Sequence, residues 1–260
     1  MPSLKNQTLK LSEKISSLQT YYWESLNSTQ IKAKELAKQN KTPFLVVADC
    51  QSQGRGRLQR NWESPAGLGL YFTLVFSTQI PKEKLPWISL MGGLALKEVL
   101  DQESIPDLVL KWPNDLLSQG KKLAGLLAEA HFETEKNPLI FLGLGLNVHQ
   151  DQKDFSKTIQ NQATSLYLLG SQNLNRASLL EKIILKILIE IKNLEAQPHE
   201  NFLRRWEKES SLLGKEICFT WEGKEKQGRV LGLNSEGHLK VESQTKEILY
   251  LIAEDSTLIK

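Results

Sequence analysis

The sequence predicts an α+β protein in which a larger mixed domain is followed by a small all-β module. Three observations carry that expectation. Apolar runs of strand length alternate with segments of helical period as far as residue 212. From Leu213 onward the texture changes to short alternating segments separated by turn signals, Trp221-Glu222-Gly223-Lys224 and Asn234-Ser235-Glu236-Gly237. At 260 residues, with 40% hydrophobic and 24% charged side chains, the chain has room for one substantial core and a smaller one. The divisions expected are a lead-in over 1–20, a larger mixed domain over 21–212 and a small all-β C-terminal domain over 213–260.

Each element has its own signal. Residues 1–20 are polar and helix-compatible, and read as a short lead-in. Asn27-Ser28-Thr29 offers N-cap oxygens before a helix through Ile31, Leu36 and Ala37. Phe44 to Ala48, after Pro43, is a buried-strand run. A glycine- and arginine-rich loop covers 51–67, and Leu68 to Phe76 returns to strand texture. Pro86 opens a helix carrying Ile88, Met91, Leu94, Ala95, Val99 and Leu100. Leu108 to Leu110, Leu123 to Ala130 and Leu139 to Leu146 are three further strand candidates. Residues 150–175 are polar and irregular. Asn175 then precedes a helix with apolar positions at Leu180, Ile183, Ile184, Ile187, Leu188 and Ile191. A shorter helix around Phe202 to Trp206 leads into the all-β module.

The totals narrow the function. Thirty-three basic and 30 acidic residues leave a formal charge of +3, too balanced for a general nucleic-acid footprint. Two cysteines, Cys50 and Cys218, make no disulfide framework. The histidines, His131, His149, His199 and His238, show no metal-ligand spacing. No apolar run approaches the roughly 20 residues of a membrane span. The polar start lacks the core of a signal peptide, so a reduced cytoplasm is expected.

Three segments carry chemistry. In the loop Gln51-Ser-Gln-Gly54-Arg55-Gly56-Arg57-Leu-Gln-Arg60-Asn-Trp62, glycines let amides converge on an anion, and three guanidinium forks suit phosphate or carboxylate. Alone, it fits a solvated surface loop equally well. In Lys111-Trp-Pro-Asn-Asp115 followed by Gly120-Lys-Lys122-Leu-Ala-Gly125, Pro113 stiffens a turn. Lys122 stands at a strand end, where it could bridge a carboxylate and the phosphate that carboxylate attacks. At 4 Å and an effective dielectric of 20 each such contact is worth about 4 kcal/mol before desolvation. A buried Trp-Pro corner with Lys122 reaching water fits this segment too. In Gly143-Leu-Gly145-Leu-Asn147, alternating glycines let a flat ligand lie on backbone, though an ordinary strand bend would read the same.

Taken together and in this order, QSxGRGRxxRxWxSPxGxGLYF, KWPNDLLxxGKKLAG and GLGLN resemble the biotin protein ligases from about Trp23 to the C-terminus. The resemblance implies a catalytic domain with a mixed sheet flanked by helices, related to class II synthetases, and a small SH3-like β-barrel C-terminal domain. It implies activation of biotin by ATP and Mg²⁺ to biotinyl-5′-AMP. Transfer then follows to a lysine of a biotin carboxyl carrier protein, a subunit of acetyl-CoA carboxylase or a similar enzyme. Ser28, Thr29 and Gln30 match the positions that hold the biotin ring. Gln51, Arg55, Gly56, Arg57 and Gly125 match biotin- and adenylate-contacting positions. Lys122 matches the lysine between biotin carboxylate and activated phosphate. Arg60, Trp62 and Asn147 match nucleotide-contacting positions, and Lys111 and Asp115 line the same cavity. Two residues depart from the family pattern, Gln30 where Asn is usual and Gln59 where Gly is usual.

The resemblance also makes a sheet-mediated homodimer plausible. A lipoate or octanoate ligase or transferase is the nearest enzyme alternative. A biotin-sensing DNA repressor would need a helix-turn-helix, for which about 20 residues before the catalytic region are too few. A binding protein without catalysis stays open until turnover is measured.

Overall fold

The computed structural model describes residues 3–132, 137–196, 200–253 and 258–259. Met1 and Pro2 of the expected lead-in, and His199, lie outside the described residues. The lead-in carries helix α1, Leu4–Lys14, capped by the Ser3 hydroxyl accepting from the Asn6 amide. Leu4 and Leu11 are buried in the main core. Strand β1, Gln19–Leu26, follows directly.

Seven strands form the main sheet: β1, β2 (Phe44–Gln51), β3 (Gly69–Ser77), β4 (Leu108–Lys111), β5 (Asp115–Ser118), β6 (Lys121–His131) and β7 (Leu139–Asn147). Their order is β1-β2-β3-β7-β6-β5-β4. β1 and β2 are parallel and the other neighbours antiparallel, so the sheet is mixed. Helix α2 is Thr29–Ala37, α3 Trp87–Asp101, α4 Arg176–Ala196 and α5 Glu200–Lys208.

Alternation along β3 explains how the sheet is clothed. Leu70, Phe72, Leu74 and Phe76 lie in the large apolar core, where α4 packs on β3 and α3 on the neighbouring strands β4 to β7. Burying each such side chain contributes about 1.5–3 kcal/mol. Tyr71, Thr73 and Val75 face the other way. There α2 covers only one end, packing Ala33 against Phe44, Val46, Val75 and Phe141. The rest of that face is left for a cavity. Helix α4 starts where the sequence signals: the Asn175 side chain accepts from the amides of Ala177 (2.8 Å) and Ser178 (3.2 Å). Its Leu180, Ile183, Ile184 and Ile187 are fully buried.

The small β module is a five-stranded antiparallel sheet, β8 (Glu216–Trp221), β9 (Lys224–Leu233), β10 (Leu239–Ser243), β11 (Ile248–Leu251) and β12 (Leu258–Ile259), ordered β11-β10-β9-β8-β12. Its turn at Asn234–His238 rests on α3. There the Trp112 indole N–H donates to the Gly237 carbonyl at 3.1 Å. No described helix is long and apolar enough to cross a membrane.

Candidate active site

The uncovered part of the sheet face is a cavity of about 550 Å³, and every residue matched above to a biotin-, nucleotide- or catalysis-related position lines it, whereas Gln59 does not. β7 supplies the floor. Gly143, Gly145 and Asn147 share one face, and Gly125 of β6 lies directly opposite Gly145. The indole of Trp62 lies on this glycine pair. A Cβ on Gly145 would stand 2.4 Å from Trp62 Cε2, and one on Gly125 would stand 3.1 Å from Cζ3. Side chains are absent here because an aromatic ring takes their place.

Lys122, second in β6, is held by its backbone. Its amide donates to Gln162 O at 2.7 Å, and its carbonyl accepts from Thr164 N at 2.9 Å. Its Nζ lies 2.7 Å from Asp115 Oδ1 and 5.3 Å from the Trp62 ring. The Asp115 contact is an ion pair inside the cavity. Asp115 faces Lys111 across the β4–β5 hairpin. The turn between them is pinned to β6 by Asn114, whose amide nitrogen donates to Leu126 O at 2.6 Å.

The arginine loop folds over this floor. Gly56 N donates to Arg60 O at 2.7 Å, and Trp62 N to Gly54 O at 2.9 Å. Arg55 and Arg60 are exposed. Arg57 reaches Asn114 Oδ1 at 3.4 Å and the carbonyl of Ala253 in the small module. Gln59, where the family pattern has Gly, takes φ +56°, and Leu58 takes φ +52°. Such left-handed backbone costs an L-residue about 1–2 kcal/mol. Gln51 ties the loop to α2: its Oε1 accepts from Thr29 N at 2.8 Å, and its Nε2 donates to Ser64 Oγ at 2.9 Å. Ser28 caps α2 through Gln30 N. Asn147 uses its carboxamide internally, donating to Thr164 O at 2.9 Å and accepting from Gln150 at 3.2 Å.

One wall was not foreseen. Phe155, Ile159, Asn161, Gln162 and Ala163, from the stretch read as polar and irregular, close the cavity beside Lys122. Their only sequence signal is a few apolar residues among polar ones, without period. Beyond the cavity, burial pushes the His149 imidazole below its usual value, and the Arg176 charge adds to that.

With this geometry in view, the comparisons are specific. Residues 11–147 match the biotin/lipoate A/B protein ligase family. The chain belongs to that family. It is 31% identical over 223 residues to the bifunctional ligase/repressor BirA of Bacillus subtilis, covering 85% of this chain and 69% of that protein. It is 33% identical over 160 residues to the biotin–[acetyl-CoA-carboxylase] ligase of Mycobacterium tuberculosis, covering 59% of this chain and 57% of that protein. Its fold is similar to the biotin protein ligase from Aquifex aeolicus in complex with biotin and ATP. The TM-score is 0.78 at 29% identity, over 94% of this chain and 99% of that one. The mixed sheet flanked by helices, expected from the resemblance, is thus the family's architecture. In this ligase the matched region ends at Asn147, the last residue of the glycine floor.

Proposed function

We propose that the chain joins biotin to a lysine of a biotin carboxyl carrier protein in two steps within the one cavity. The observation that carries this reading is Lys122: a strand-end ammonium, fixed by its own backbone, between the glycine floor and the arginine loop. Biotin's ring end is assigned to Ser28, Thr29, Gln30 and Gln51, and its carboxylate to Lys122. The nucleotide is assigned to Arg55, Arg57, Arg60, Trp62 and Asn147, with Lys111 and Asp115 alongside.

In the first step a carboxylate oxygen attacks the α-phosphorus, the bond to pyrophosphate breaks, and pyrophosphate leaves. Lys122 and the loop arginines neutralise two anions that would otherwise repel, and oppose charge building on the phosphoryl oxygens. In the second step the neutral amine of the acceptor lysine attacks the acyl carbon. AMP departs with the bonding electrons, and the extra amine proton goes to solvent. The loop closed over the anhydride excludes water.

Among the described residues no three His, Cys, Asp or Glu side chains group as a metal cage. Magnesium that enters on the triphosphate needs only one or two carboxylates besides phosphate and water. Asp115, whose carboxylate lines the cavity and now pairs with Lys122, would suit that part once Lys122 turns to the substrate carboxylate, and the ion would offset charge on the departing pyrophosphate.

The divisions 21–212 and 213–260 are the catalytic and accessory parts in this reading. The outer edge of β1 is the surface offered to a second copy, and two free cysteines suit the reducing cytoplasm. The test is ATP–pyrophosphate exchange with biotin, with lipoate and with no acid. Exchange with biotin alone is expected. Exchange only with lipoate would transfer the chain to the lipoate branch of the family, and none with either acid would end the proposal.

A further inference from the structure

The amide of Gln30 is turned by its neighbours. Its side chain is buried, and both Nε2 hydrogens have acceptors: Glu129 Oε2 at 2.7 Å and Phe141 O at 3.1 Å. A carboxylate and a carbonyl can only accept. Flipping the amide would therefore set three acceptors against one another. Oε1 is left on the cavity side, accepting from Thr73 Oγ1 at 3.0 Å. It stands 2.8 Å from where a Cβ on Gly143 would be, so the glutamine carbonyl uses the space that glycine vacates on the floor. Glu129 itself follows Gly125 and Leu127 on the same face of β6 and is held from α2 by Lys34 at 3.0 Å.

We propose that Glu129 is a positioning residue for acid selection: it locks Gln30 with its carbonyl toward the ring end of the cavity, so that the site selects an acid whose head group carries N–H donors. A cyclic urea satisfies that carbonyl. A dithiolane or a plain acyl chain would leave it buried with only the Thr73 hydroxyl, whose single proton Thr29 Oγ1 also attracts, and a polar group left short of donors in this way discriminates between acids. The inference rests on the reading of the chain as a biotin-activating enzyme and adds what sets its choice.

The experiment compares Glu129→Gln and Lys34→Met with the unaltered protein in pyrophosphate exchange, using biotin, desthiobiotin, lipoate and octanoate, with biotin binding followed by calorimetry. Glutamine at 129 keeps the shape but can donate as well as accept, so only Phe141 O still opposes a turn of the Gln30 amide. KM and Kd for the two urea acids are expected to rise about 10-fold, with kcat within about twofold and no loss with lipoate or octanoate. Lys34→Met, which leaves Glu129 in place, should give a shift of about threefold in the same direction. An unchanged KM for biotin in Glu129→Gln, or a fall in kcat alone with every acid, overturns the inference while the unaltered enzyme still activates biotin. If Glu129→Gln does not fold, an unchanged KM in Lys34→Met overturns it instead. Failure of the unaltered protein to activate biotin would instead strike the functional reading beneath it.

Discussion

The floor of the cavity, on β6 and β7, is buried backbone lacking side chains at Gly125, Gly143 and Gly145. The roof, residues 51–62, is exposed and charged. Leu144 and Leu146 on the floor strand are 4% and 0% exposed, whereas Leu58 at the tip of the roof is 53% exposed. The floor hydrogen-bonds to strands on both sides along its length. The roof is anchored at its start by the Ser52 and Gln53 amides on Leu26 O and Asn27 O and by Gln51; beyond that it is held by a few internal amide bonds and by Arg57, and it carries two left-handed residues. The contrast separates two demands on such a site. A shape that must receive a small rigid ring is best cut into a sheet, and a cover that must open for a protein substrate is best left weakly held.

The largest effect is expected where the two meet. Lys122→Ala removes the fixed ammonium and should lower biotin-dependent pyrophosphate exchange about 10²–10³-fold without shifting Tm by more than a few degrees. Near-normal exchange would take Lys122 out of the chemistry. Gly145→Val tests the floor. Its Cβ would stand 2.4 Å from the Trp62 ring, so the indole must leave, and kcat/KM should fall about 10²-fold with the arginine loop untouched. Retained activity would mean that Trp62 need not lie on the strand.

Arg57→Gly tests the roof and should behave oppositely. Adenylate still forms but escapes about 10-fold faster, read as released biotinyl-adenylate and as labelling of bystander proteins. Equal retention by both proteins would count against the roof as a cover. The smallest effect belongs far from both surfaces. Asn175→Ala deletes the α4 cap and should cost about 1 kcal/mol in urea unfolding with exchange unchanged; a loss of exchange would show that α4 reaches the site.

How much of this was legible follows the same physics. Phe44–Ala48 and Leu139–Leu146 announce themselves because central strands buried on both faces must be continuously apolar. β1 did not, since an edge strand half in solvent reads Gln-Thr-Tyr-Tyr-Trp-Glu-Ser-Leu, without alternation. β5, Asp-Leu-Leu-Ser, is as short as β4 but offers only two apolar residues between polar ones, so it merges with the turns on either side. Among site residues, glycines and charges in fixed order were readable as motifs. The wall at 155–163 was not, because it is placed by main-chain bonds to Lys122 that any residue type can make. Glu129 lay in a strand already found, but nothing local says that its partner is Gln30, 99 positions away.

The turn at Gly237 sets a condition on any chimaera of this enzyme. It has φ +84°, and a Cβ there would come within 2.7 Å of Trp87 Cδ1. Its carbonyl is the acceptor for the Trp112 indole, next door to Pro113 and Asn114. A C-terminal module grafted from a relative must therefore bring glycine at that point in the same register. A module with any other residue there would press on Trp87 and shift the carbonyl that holds Trp112 beside the Pro113-Asn114 turn, so recombination at this junction is correspondingly constrained.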